Sequence, residues 1–359
     1  MKKIFYLILL CVANPFFAQN LKPGFDKKEY TELIYAFSRW QDSTCFKDIP
    51  ESKKYKTVYR AKENGLANCW ELYETEGHSV ISIRGSINTP LSWMANFNAA
   101  MIPAQGQIKL CDTITYDYHF AENPRAGVHV GWASSCGYLI KDITSKIKEQ
   151  YANGKHDFII FGHSQGASIA FLITAQLKYY QKTGLLPKDI QFKTYCSAGS
   201  KPGNLYFAYD YEASTQMGWS FTIVNAADWV PELPVSIQSI GDFNKTNPFK
   251  DIKLRIRKRP LYQQPVLRFA YSQLTKFNKK AVRRYQTYLG TFVAKAIGSK
   301  VKGFKNPKYM DSNYYVRCGN AIILNPDEEY YTKFPDNDKT ILVHHNLNAY
   351  LYLLEKLEL

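Results

Sequence analysis

No Cys-x-x-Cys pair occurs in the 359 residues, so the commonest spacing of a structural zinc site is missing. Asp327, Asp336 and Asp338 lie near turns, but their spacing fits no calcium loop, and they are read as solvated. The chain has no internal repeat and no low-complexity tract. Beyond the N-terminal residues no run is apolar enough to cross a bilayer, which excludes an integral membrane fold of helices. Acid is nearly absent from residues 251–310, where sixteen Lys and Arg face only Asp251. That segment carries the whole formal excess of +15, and the remainder is balanced. Hydrophobic residues at 45% with mixed charge mark a globular chain long enough for one large α/β domain with insertions or for two modest domains.

At the N-terminus, Met1-Lys2-Lys3 precedes the apolar run Ile4–Ala13, and Pro15–Ala18 leads to Gln19. A short basic end, a short apolar core and a small residue at the junction predict an export signal over 1–18. The expected mature product is a single domain over 19–359, periplasmic or secreted. Cys11 lacks the small residue that precedes a lipidated cysteine. Six cysteines remain after cleavage, and an even number in an exported chain permits disulfides. Cys136, in an expected helix, and Cys196, in an expected buried strand, read as packed free thiols. The pairing of the others stays open.

Apolar periodicity predicts a helix from Lys28 to Gln41, then strands over Tyr55–Arg60, Ala67–Glu74 and His78–Ile83. A short helix is expected at Pro90–Phe97, an irregular tyrosine-rich stretch at Cys111–His129, and a helix at Trp132–Tyr151. Ile190–Cys196 and Trp219–Val224 read as further strands, each closing on a polar loop. Strands alternating with helices imply a largely parallel sheet with crossover helices. From Phe269 to Val301, Leu274, Phe277, Ala281, Tyr285, Tyr288, Leu289, Phe292, Val293, Ala296 and Ile297 recur at helical spacing. Lys276, Lys279, Lys280, Arg283, Arg284 and Lys295 occupy the opposite face. This basic insertion, about 250–310, interrupts the alternation. Paired strands near Tyr314–Phe334 and a helix from Asn346 to Leu357 close the chain.

The stretch Phe158–Leu177 carries the chemistry. It reads as a buried strand, the turn Gly162-His163-Ser164-Gln165-Gly166, and an amphipathic helix. A serine hydroxyl is a weak nucleophile unless a sharp turn presents it beside a base and an oxyanion site. Gly162 and Gly166 let the strand and helix close around Ser164. The base and its orienting carboxylate should follow in the order acid, then histidine. Asp228, directly after the strand that ends at Asn225, stands where parallel sheets place functional groups. A turn cap before Pro231 is the plainer role for it. Only His344 and His345 lie downstream, so one of the two is the candidate base. The oxyanion site would join the Gln165 amide, at a helix N-terminus, to Ser86 after Arg84-Gly85.

These pieces occur in the order of a known family. Arg84-Gly85-Ser86, His129-Val-Gly-Trp132, Gly162-His-Ser-Gln-Gly166 and Gly199-Ser-Lys-Pro-Gly-Asn204 come first. Asn225-Ala-Ala-Asp228-Trp-Val-Pro231 and His345-Asn-Leu-Asn-Ala-Tyr-Leu-Tyr352 complete the set. The chain resembles the class 3 (fungal-type) lipases over roughly residues 55–235 and its last helix. That resemblance implies an α/β-hydrolase fold with a mostly parallel central sheet, flanking helices and, here, a basic helical cap insertion. It implies Ser164 as nucleophile, Asp228 as orienting acid, and His345 as base, since the ending looks like that of plant phospholipases of the A type. Ser86 and Gln165 would hold the oxyanion. Gln165 and Ala167 replace the family's usual Leu and Gly after the nucleophile, but a backbone amide donates to the oxyanion, so no donor is lost.

The expected activity is hydrolysis of carboxylic esters of lipids, triacylglycerol or phospholipid, with no metal and no organic cofactor. The alternatives are an esterase for small soluble esters and a non-catalytic membrane-surface protein of the same fold. The basic insertion is either a solvated face packed over the core or a cap that meets an anionic membrane through residues 251–310. No nucleic-acid module accompanies the charge, so no nucleic-acid partner is expected.

Overall fold

A computed structural model describes residues 21–40, 47–216, 218–336 and 339–358. The expected signal segment, Cys11, Cys45 and Asp338 lie outside them. Among the described residues, seven strands form the central sheet, in the order β1-β2-β3-β8-β9-β11-β13. They are β1 Lys56–Arg60, β2 Trp70–Glu74, β3 Ser79–Ile83, β8 Asp157–His163, β9 Gln191–Ser197, β11 Ser220–Asn225 and β13 Asn320–Leu324. From β3 to β13 every neighbouring pair is parallel, while β1 and β2 add an antiparallel edge. A smaller antiparallel sheet joins β4 Met101–Pro103, β7 Gly127–His129, β10 Gly203–Asn204 and β12 Tyr315–Val316. A hairpin pairs β5 Gln105–Lys109 with β6 Thr115–His119.

Strand β8 shows why the sheet lies between two helical layers. Its side chains are buried on both faces, and alternation sends Phe158 and Ile160 to one core and Ile159 and Phe161 to the other. The first core is covered by α3 Val130–Ala152 and α4 Gln165–Thr183, through residues such as Ile143 and Phe171. The second is covered by α1 Lys27–Phe37 and α10 Leu347–Glu355, through Tyr30, Leu33 and Leu353. Chain start and chain end therefore share one layer, and the Lys27 ammonium donates to the Glu355 and Leu357 carbonyls at the end of α10. This is an α/β-hydrolase architecture, as the resemblance implied, and its largely parallel sheet is the one the strand–helix alternation predicted.

Helix α2 occupies Pro90–Phe97 as expected, with Thr89 capping it. Two expectations change. The stretch 111–129 is not irregular but holds β6 and β7. In β6 the tyrosines are the buried positions of an alternating strand, Tyr116 and Tyr118 inward and Thr115 and Asp117 outward. The strands near 314–334 do not pair with each other: β12 joins β10, whereas β13 joins β11 and ends before α9 Glu328–Lys333. Sequence alternation identifies a strand but not its neighbour. An unanticipated helix, α5 Leu205–Ser214, starts at Asn204, whose side chain accepts from Phe207 N.

The basic insertion forms α6 Ile252–Arg257, α7 Gln264–Gln286, a π-helical turn at Thr287–Phe292, and α8 Val293–Gly298. Val293 and Ile297 pack inward, but much of the apolar face of this segment is exposed. Val266, Phe269, Leu274 and Phe277 retain 69, 66, 63 and 59% exposure. No described helix is long and apolar enough to cross a membrane. Cys69, Cys111, Cys136, Cys196 and Cys318 are free thiols, and burial pushes Cys136 up to about 12.

Candidate active site

Strand β8 ends at His163 and α4 begins at Gln165, so Ser164 alone makes the turn. Its backbone sits at φ 60°, ψ −129°, a region an L-residue occupies only under local constraint. The constraint is steric. A Cβ on Gly166 would lie 2.2 Å from Ile83 O, and one on Gly162 would lie 2.3 Å from the Gly166 carbonyl carbon. Glycine at both positions lets α4 start against β3 and β8. Ser164 N donates to Ser197 O at 2.9 Å, which ties the turn to the end of β9.

Asp228 follows β11 and is buried. Its Oδ2 accepts from His345 Nδ1 at 2.7 Å and from the Tyr350 hydroxyl at 2.8 Å, while Oδ1 accepts from Val230 N at 3.0 Å. Burial acts to raise this carboxyl. The hydrogen bond and charge of His345, with the Val230 amide and Tyr350 hydroxyl, outweigh it and hold the group below its ordinary value. Ser200 Oγ donates to Val230 O at 2.8 Å, fixing the loop that presents the carboxylate.

The two downstream histidines separate cleanly. His345 pairs with Asp228 through Nδ1, leaving Nε2 as its other ring nitrogen. His344 uses both ring nitrogens elsewhere, on the Tyr330 hydroxyl at 2.8 Å and on Asp336 Oδ1 at 2.9 Å. Asp336 is thus a partner of His344 and not merely solvated. Asp327 likewise caps α9 through Tyr330 N and pairs with Lys356. The His345 ring lies 4.8 Å, centroid to centroid, from the ring of His163, next to Ser164. Among the described residues no hydrogen bond joins the Ser164 hydroxyl to the His345 ring. Such contacts commonly tighten only when substrate is bound.

On the opposite side of the elbow, Asn96 of α2 joins the two proposed oxyanion positions. Its Oδ1 accepts from Gln165 Nε2 at 2.9 Å and from Trp132 Nε1 at 3.0 Å. Its amide orientation is therefore set, and Nδ2 donates to Ser86 Oγ at 3.0 Å. Because Ser86 accepts there, its own proton is free for another acceptor. The main-chain amide of Gln165 is one of the first in α4, which lack intrahelical acceptors. His129 and Trp132 stack at 3.7 Å, and His129 Nε2 donates to Asn96 O at 3.2 Å. The His-x-x-Trp element noted in the sequence thus holds Asn96, a residue that the motif order did not single out. Tyr350 was also missed, although it lies within the noted C-terminal element. Among the described residues no group of three or more His, Cys, Asp or Glu could hold a metal ion.

A strained serine between a parallel strand and a helix, with a buried Asp–His pair beside it, defines the α/β-hydrolase class. Residues 80–237 match the family profile described as Lipase (class 3). Secreted mono- and diacylglycerol lipase 1 of Fusarium solani is 30% identical over 156 residues, covering 43% of this chain and 39% of that protein. The chloroplastic phospholipase A1-Ialpha2 of Arabidopsis thaliana is 27% identical over 175 residues, covering 43% of this chain and 32% of that one. The alignments thus span well under half of either relative. A lipase crystal structure from Rhizopus microsporus var. chinensis aligns over 58% of this chain and 69% of that one, with 22% identity and a TM-score of 0.40.

Proposed function

We propose that this chain is a serine hydrolase that cleaves carboxylic esters of lipids through an acyl-enzyme on Ser164. The observation that carries the reading is the 2.7 Å pairing of His345 with buried Asp228, beside a serine held at positive φ. Asp228 fixes the His345 ring with its Nδ1 proton inward, so Nε2 is the basic atom. Nε2 takes the Ser164 proton as Oγ attacks the ester carbonyl carbon. The carbonyl oxygen becomes an oxyanion, received by the Ser86 and Gln165 amides and the Ser86 hydroxyl. The His345 proton then passes to the departing alkoxide, leaving acyl-Ser164. Water, deprotonated by His345, attacks that ester; the acid leaves and Ser164 recovers its proton.

The matched relatives are named for acylglycerol and phospholipid hydrolysis, which supports a lipid ester as substrate. Exposed Lys276, Lys279, Lys280, Arg283 and Arg284 form no ion pair among the described residues, and exposed apolar side chains lie among them on α7. We assign α7 to peripheral contact with an anionic membrane. Export behind the 1–18 signal, a single domain over 19–359, and the 250–310 insertion belong to the same proposal; the Fusarium relative is named as secreted.

The test is a substrate panel of long-chain acylglycerol and phospholipid dispersions beside short soluble p-nitrophenyl esters, with Ser164→Ala as control. Long-chain lipid turnover that falls about 10⁶-fold in the variant is expected. Preference for short dissolved esters would replace lipids by small esters as the substrate class. A wild type inert to the panel and to fluorophosphonates would overturn the hydrolase reading.

A further inference from the structure

The residue before the nucleophile is tied to the proposed base. His163 Nε2 lies 3.0 Å from the main-chain oxygen of His345 and Nδ1 lies 3.0 Å from Ser197 Oγ. Ser197 Oγ is 2.5 Å from the Tyr30 hydroxyl. A carbonyl can only accept, so the proton on His163 must be on Nε2. In the neutral ring Nδ1 then accepts, Ser197 must donate to it, and Ser197 in turn accepts from Tyr30. One carbonyl therefore fixes every proton in the chain Tyr30–Ser197–His163–His345. The neighbouring carbonyl, His344 O, is held independently by Asn225 Nδ2 at 2.8 Å. Two successive peptides before α10 are thus clamped from the ends of two parallel strands, β8 and β11.

We propose that His163 is the positioning residue of His345, setting the backbone that aims its Nε2 at Ser164 and lending it an uncharged ring as neighbour. The inference rests on the hydrolase reading above. The groups that face His163 are the His345 ring, the Asp228 carboxylate, the Tyr350 and Phe37 rings, and the Tyr30 and Ser197 hydroxyls. Burial first, and the nearby His345 second, push His163 down to about 3, against a smaller upward pull from Asp228. It stays neutral through the working range of a histidine base. When His345 becomes an imidazolium during turnover, it meets no second positive charge 4.8 Å away.

A glycine or alanine at 163 would keep the elbow but free the His345 carbonyl. Misplacing a catalytic group by about 1 Å can cost about 10²-fold in rate. The effect should appear in kcat and leave KM nearly unchanged, because His163 is buried and its ring nitrogens are spent on His345 O and Ser197 Oγ.

The experiment compares His163→Phe, His163→Gln and Ser197→Ala with wild type. Fluorophosphonate labelling rates, kcat and KM on a soluble ester, and thermal midpoints are measured. Phe keeps a ring but has no donor; Gln places an amide donor near the Nε2 position. We expect His163→Phe to lose about 10²-fold in kcat and labelling rate at unchanged KM. His163→Gln should recover most of that loss, and Ser197→Ala should fall several-fold. Equal rates for Phe and Gln, whether both normal or both impaired, would overturn the proposal. If His163→Phe does not fold, a Ser197→Ala rate equal to wild type overturns it instead. A wild type that does not label at all sinks the hydrolase reading and this inference with it.

Discussion

The Tyr350 hydroxyl donates to Asp228 at 2.8 Å, on the same oxygen that receives His345. A carboxylate oxygen with two donors is both charged and immobile, and here the second donor comes from α10, two turns or less from His345, the proposed base. A hydrogen bond to a charged group contributes about 1.5–3 kcal/mol. Tyr350→Phe is expected to lower kcat/KM by about tenfold or somewhat more. Asp228→Asn, which removes the charge, should cost on the order of 10⁴-fold. Steady-state kinetics of the two variants check the ranking. A Tyr350→Phe enzyme with unchanged rate would leave that hydroxyl a purely structural role.

His344 and His345 offer a sharper contrast because they are adjacent and equally buried. His345→Ala should reduce turnover to the residual level left by oxyanion stabilisation, about 10³–10⁴ above water. His344→Ala removes only the contacts to Tyr330 and Asp336, so a loss within about tenfold is expected, together with a lower thermal midpoint. Comparable losses in both variants would contradict the assignment of the base.

Much of this arrangement was legible in the chain because it depends on local sterics. Glycine at 162 is demanded by a contact within a five-residue turn, glycine at 166 by the close approach of Ile83, and Asp228 stands directly after its strand. What could not be read were interactions that the fold alone creates. Asn96 lies on a helix with no feature of its own, and its importance comes from three side chains on other elements converging on it. The choice between His344 and His345 rested on resemblance alone, since both precede the same helix. The surroundings of α7 stayed open for a related reason: apolar spacing identifies a face but not whether protein covers it.

Acid should destabilise the fold well before the carboxylates titrate. Burial, the largest influence on each, pushes His78, His129 and His163 from 6.5 down to about 3. Each is neutral when folded but protonated when unfolded below its ordinary value. Their contribution is therefore complete above about pH 6.5 and is lost progressively as pH falls toward 3. Each adds a slope of up to about 1.4 kcal/mol per pH unit in that window. Asp228, held below its ordinary value, adds a further loss only below about pH 4. Urea unfolding at pH 7, 6 and 5 checks the sign, and His163→Gln should flatten the dependence. Stability that is constant from pH 7 to 5 would show that these rings can take up protons without unfolding.

The exposed face of α7 makes the membrane contact testable residue by residue. A helix that turns Leu274 and Phe277 to water while keeping Tyr271, Thr275 and Val282 against the protein leaves its apolar stripe uncovered. The interleaved cations specify what should cover it, since each basic residue near an anionic surface contributes roughly 1 kcal/mol, about fivefold in partition. Lys279→Glu with Lys280→Glu should weaken binding to phosphatidylserine vesicles by well over tenfold and leave the weak binding to neutral vesicles unchanged. Leu274→Asp with Phe277→Asp should weaken both, because apolar insertion does not depend on lipid charge. Added salt should mimic the first pair and not the second, since surface charge is screened within about 10 Å at 0.1 M. Both pairs are exposed, so neither should lower the thermal midpoint or the turnover of a soluble ester. Vesicle co-sedimentation that treats the wild type, the lysine pair and the apolar pair alike would remove α7 from the membrane and return it to the role of a solvated cap.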